Sequence, residues 1–138
     1  MSYYRDKDGN IRIDLLDAEA YSLANSFVKR NPRDERKLID KESLSSAQMR
    51  RFYGKFKLLE KKVDEEKNFP KIKPFIKMEK SKAHYAANPS KPKIPKSFKN
   101  FLIENIDRIE EKPDFKDFML HFEAVVGFFY GIPGVGKN

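Results

Sequence analysis

Apolar residues recur at helical spacing from Leu15 to Lys29, where Leu16, Ala20, Leu23 and Phe27 fall on one stripe. The stripe predicts a first helix, stopped by Asn31-Pro32. Residues 33–43 are mostly charged and read as a connector. Ser45 and Gln48 then have the spacing of a capping box, with Leu44 placed as a staple. Met49, Phe52, Tyr53, Phe56, Leu59 and Val63 continue as a long stripe, predicting a second helix to Lys67 with Gly54 off its apolar face. Pro70 and Pro74 interrupt the chain, and Pro74 suits the first position of a third helix. There Phe75, Met78, Tyr85 and Ala86 share a face, and Lys82 projects to its middle. Asn88-Pro89 ends that helix, and Ser90 to Pro95 form a basic, proline-rich connector. A fourth helix follows Ser97 with Phe98, Phe101, Leu102 and Ile109 inward. A fifth follows Pro113 and reaches Tyr130, with Phe115, Phe118, Met119, Phe122, Val126 and Phe129 as its stripe. The chain has no internal repeat and no clear strand alternation. The pattern predicts an all-α, single-domain bundle of about five helices. Within residues 1–138 it sets apart a loose N-terminal arm (1–14), a basic Pro-rich connector (88–96) and a flexible tail (131–138).

A length of 138 residues suits one domain with one core. The absence of Cys excludes disulfides, thiolate metal sites and cysteine nucleophiles. No apolar run approaches the roughly 20 residues of a membrane span. The N-terminus is polar and has no secretory hydrophobic region, so a cytoplasmic location is expected.

Charge changes the picture more. The formal net charge is +8. Residues 68–99 hold nine lysines against a single acid, Glu79, so this segment carries the whole surplus. Such a balance points to nucleic acid or another anionic surface. The second predicted helix adds Arg51, Lys55 and Lys62 along one flank, with Gln48 beside them, and Arg50, Lys57 and Lys61 along the other. Successive helical turns advance by about 5.4 Å, near the spacing of phosphates along a strand. Guanidinium groups also clamp phosphate oxygens in pairs. A solvated helix face is the alternative reading of the same charges. Lys82 and Tyr85 form a sharper pair. A lysine centred on an apolar stripe must snorkel or meet an anion, and a tyrosine one turn away can stack on a base.

Two other features bear on possible chemistry. His84 and His121, the only histidines, are the residue types a metal-independent ribonuclease would use as acid and base, but nothing in the sequence joins them. Two histidines without cysteine make a weak metal site. The stretch Gly131 to Lys137 nearly matches a phosphate-binding loop. Asn138 replaces the hydroxyl residue, however, and no helix follows to receive the phosphates, so it reads as a glycine tail.

Three ordered blocks carry a family resemblance. Ser45-Ser46-Ala47-Gln48-Met49-Arg50-Arg51-Phe52, Lys82-Ala83-His84-Tyr85-Ala86-Ala87 and Phe122-Glu123-Ala124-Val125-Val126 resemble the small helical subunit of the type III-A CRISPR effector, the Csm complex. The resemblance implies a non-catalytic protein, without cofactor or metal, that grips the phosphates and ribose of guide (crRNA) and target RNA in antiviral defence. It implies other Csm subunits as partners, with self-association as a dimer or as stacked copies. Gln48, Arg50, Arg51 and Lys82 carry over as RNA-binding positions from the matching blocks. Lys55, Lys62, Lys77 and Tyr85 join them on charge and face. The stiff 90–96 connector leaves open a helix that is extended or exchanged between protomers. A protein-interaction bundle with a basic face remains the alternative, and the histidine ribonuclease a further one.

Overall fold

The protein is described from a computed structural model covering residues 2–136. Among these residues the chain forms α1 (Ile13–Leu16), α2 (Ala18–Ser26), β1 (Arg30–Asn31), β2 (Asp34–Leu38), a short 3-10 turn (Asp40–Glu42), α3 (Ser46–Glu65), α4 (Phe69–Ala86), α5 (Lys96–Arg108) and α6 (Lys112–Tyr130). This is the expected all-α bundle, with one small antiparallel hairpin added. Helix α6 is the hub, packing against α1, α2 and α3, while α4 lies between α3 and α5.

The core is largely phenylalanine. Phe101 and Phe122 sit 5.3 Å apart edge to face, Phe56 and Phe118 5.5 Å, and Phe27 and Phe98 5.1 Å. Edge-to-face contact suits the ring quadrupole and adds about 0.5–1.5 kcal/mol per pair beyond burial. Caps fix the helix starts. Ser45 Oγ accepts the Gln48 N–H at 3.2 Å, which is half of the expected capping box. The full box closes instead at α6. There Glu111 accepts the N–H of Asp114 and the Asp114 carboxylate accepts the N–H of Glu111, ahead of Pro113 in the first turn.

Five expectations need correction. The first predicted helix is two helices, because Asp17 (φ −136°, ψ −103°) breaks the run; Leu15, Ala20, Ala24 and Phe27 are the buried set. The connector 33–43 carries strand β2, which pairs back on β1 as a hairpin whose turn is closed by Asn31 Oδ1 accepting the Arg33 N–H at 2.9 Å. The arm 1–14 is docked rather than loose. Tyr4 is fully buried and donates to Asn105 Oδ1 at 2.8 Å, and Arg5 grips Asp117 with two bonds of 2.6 and 2.9 Å. The tail packs as far as it is described, with Ile132 buried and Val135 against the core; Lys137 and Asn138 lie outside the described residues. Finally, α4 starts at Phe69, five residues before Pro74. Pro70 occupies its first turn, and Pro74 is carried on the exposed side of the second.

That earlier start rotates the face of α4. Its buried stripe is Phe69, Ile72, Ile76, Glu79, Ala83 and Ala86, spaced three and four residues apart. Phe75, Met78 and Tyr85 are exposed at 53%, 49% and 73%. Lys82 is therefore on an outward flank and not in the middle of an apolar stripe. The connector after α4 turns back on it: the N–H groups of Lys93 and Ile94 both donate to the Ala86 carbonyl, at 2.7 and 3.2 Å, and Ile94 is buried.

Candidate nucleic-acid interface

Where α3 and α4 run side by side, their outward flanks leave a groove of about 600 Å³. This falls in the size range of small-molecule sites, roughly 300–1,000 Å³. Helix α3 contributes Gln48, Arg51, Phe52, Gly54, Lys55 and Leu58. These follow from its register: Met49, Phe52 and Phe56 point inward, which turns Arg51, Lys55 and Leu58 to the flank facing α4. Helix α4 contributes Glu79, Ser81, Lys82, Tyr85 and Ala86, and the following connector adds Lys93. Gly54 opens the wall, since beyond the adjacent backbone of α3 no heavy atom lies within 4 Å of where its Cβ would stand.

Four cations surround this groove. Arg51 and Lys55 make no ion pair among the described residues, so their charge is available to a ligand. Lys82 Nζ stands 2.9 Å from Glu79 Oε2. Lys93 Nζ lies 5.6 Å from the centroid of the Tyr85 ring, which shapes one rim. The rest of the basic 68–99 segment divides in two. Lys71, Lys73 and Lys80 pair with Glu66, Glu110 and Asp107. Lys91, Lys96 and Lys99 make no ion pair among the described residues, and Lys93, Lys96 and Lys99 line a second cavity, of about 620 Å³, with His84 and Pro89.

The structure gathers Gln48, Arg51, Lys55, Lys82 and Tyr85 of the expected RNA-binding set in one place. It does not gather the other three. Arg50 lies outside the groove, with Nη1 3.5 Å from Ser46 Oγ. Lys62 is exposed farther along α3, beyond the groove. Lys77 faces α5 and donates to the Ile106 carbonyl at 2.7 Å; burial pulls its pKa down, opposed by Glu110. Its ammonium caps the end of α5.

Sequence reasoning missed Glu79, Gly54, Leu58, Ser81 and Lys93. Glu79 carried a signal: it sits in the three-and-four repeat of Ile72, Ile76 and Ala83, where an apolar residue is expected. The two histidines are not joined. His84 is exposed on α4, whereas His121 is buried under α1, bonded through Nδ1 to the Leu15 carbonyl and packed 5.7 Å from the Phe101 ring. No group of three or more potential metal-ligating side chains occurs among the described residues, and no described helix is long and apolar enough to cross a membrane.

No curated protein and no solved structure matches the chain. A family does: the one described as Csm2 Type III-A matches residues 21–131, from within α2 through α6 and so including both helices of the groove. The chain therefore belongs to the Csm2 Type III-A family and is a subunit of a type III-A CRISPR Csm complex.

Proposed function

We propose that this subunit is non-catalytic and grips RNA, holding the guide or target phosphate backbone along the α3–α4 groove. The observation that carries this reading is the convergence of Arg51, Lys55, Lys82 and Lys93 on one groove, with Arg51 and Lys55 left unneutralised. Two cations one helical turn apart meet phosphates at about the pitch of a strand. Guanidinium and ammonium groups read the backbone without reading sequence, which suits a complex whose specificity comes from base pairing. Partners are then RNA and the other Csm subunits.

The test is binding of the purified protein to a labelled single-stranded RNA of about 30 nucleotides across a salt series, a length that spans several binding sites. Binding is expected to weaken linearly in log salt. Arg51→Ala combined with Lys55→Ala should reduce affinity and flatten the slope by roughly 0.7 per lost contact. Unchanged affinity and slope in the double variant would sink the assignment of the groove, and the basic face would then pass to an acidic protein partner.

A further inference from the structure

Two buried side-chain atoms without a hydrogen-bond partner, Gln48 Oε1 and Glu79 Oε2, belong to residues lining this same groove. Both atoms are acceptors. Buried polar atoms are seldom left unsatisfied, because each gives up its hydration without a replacement bond. Glu79 is 1% exposed. Lys82 Nζ stands 2.9 Å from its Oε2 outside hydrogen-bond geometry, so it balances the charge without a directed bond, and the acceptor is freed only when Lys82 moves away.

We propose that the groove takes the base of an unpaired guanine nucleotide. This rests on the RNA reading of the groove and deepens it. The ligand must bring donors to two acceptors, yet it must also carry negative charge, since Arg51, Lys55, Lys82 and Lys93 would repel a polyamine or a free cation. A nucleotide has both properties. Among the four RNA bases, guanine alone sets two donors side by side on its pairing edge, N1–H and N2–H. Adenine and cytosine set one amino group beside an acceptor nitrogen, and uracil sets one N–H between two carbonyls. Phe52, Leu58 and Ala86 supply apolar contact for the ring, and Tyr85, 73% exposed, supplies a stacking face. Lys82 is the moving part. Its side chain is 46% exposed, so it can exchange the carboxylate for the nucleotide's phosphate once the base donates to Glu79.

The test uses the full chain and three eight-nucleotide RNAs: all uridine, uridine with one central guanosine, and the same with inosine, which lacks the N2 amino group. The guanosine RNA is expected to bind roughly five- to a hundred-fold more tightly than all-uridine, as for other paired base contacts, with inosine between. Glu79→Gln should abolish the preference for guanosine and, by releasing Lys82 from its carboxylate, strengthen salt-dependent binding to all three RNAs. If Glu79→Gln fails to fold, Gln48→Met should shrink the gap between guanosine and uridine. Equal affinity for the three RNAs, or a preference that survives in Glu79→Gln, overturns the guanine site and leaves phosphate gripping intact. No binding to any of the three overturns both.

Discussion

His121 is the residue whose chemistry is most changed by folding. Burial pushes its pKa below the usual imidazole range, and the bond to the Leu15 carbonyl opposes that only in part. The unfolded chain thus binds a proton more readily than the folded one. Stability is full above the unfolded value of about 6.5 and falls as pH drops from there toward the lower folded value, below which this contribution stays constant. Chemical denaturation between pH 7.5 and 5 should show that decline, and His121→Asn should make it shallower, although it lowers stability at neutral pH. The ring also explains why the arm is held. Leu15 is tied to α6 through His121, Tyr4 to α5 through Asn105, and Arg5 to α6 through Asp117. None of these ties could be read from the sequence, because each joins residues about a hundred positions apart through one polar contact.

At the scale of elements, legibility followed periodicity. The stripes of α3, α5 and α6 are legible almost as they stand, since each helix buries one continuous apolar face; Tyr53 on α3 is only half-buried, Ile106 joins the α5 face, and Val126 on α6 gives way to Val125. Helix α4 was misread for one reason. A start at Pro74 leaves Phe69 and Ile72 out of the repeat, and without them Phe75, Met78 and Tyr85 form an apparent apolar face of their own. The groove inherited the mixed outcome: its α3 wall was legible as a flank of cations, while its buried acceptors were not. Gly54 belongs to this scale too. It lies in mid-helix with open space at its Cβ position, so Gly54→Ala should stabilise the fold by about 1 kcal/mol in a denaturant titration. A loss of stability would mean that the α3 backbone is packed more closely there than this geometry allows.

For the whole molecule, the core hangs on a few rings from different helices. Phe122 touches Tyr53, Phe56, Phe98, Phe101 and Phe118, at centroid separations from 5.0 to 6.5 Å. Phe122→Ala should cost about 3–5 kcal/mol, the range for a buried aromatic truncated inside a packed core, and urea denaturation reads it directly. A loss under 1 kcal/mol would show that the neighbours collapse into the space. The position of α6 as hub has a further meaning during synthesis. Helices α1, α2 and α3 all rest on it, yet it is made after all of them. From the end of α3 at Glu65 to the end of α6 at Tyr130 the ribosome adds 65 residues, a delay of roughly 3–13 s at ordinary translation rates. For that interval Phe52, Phe56 and Leu59 have no α6 to close over them. The nascent chain therefore leaves the ribosome with its first half still waiting for its keystone, and in that window it is open to chaperones and to wrong partners.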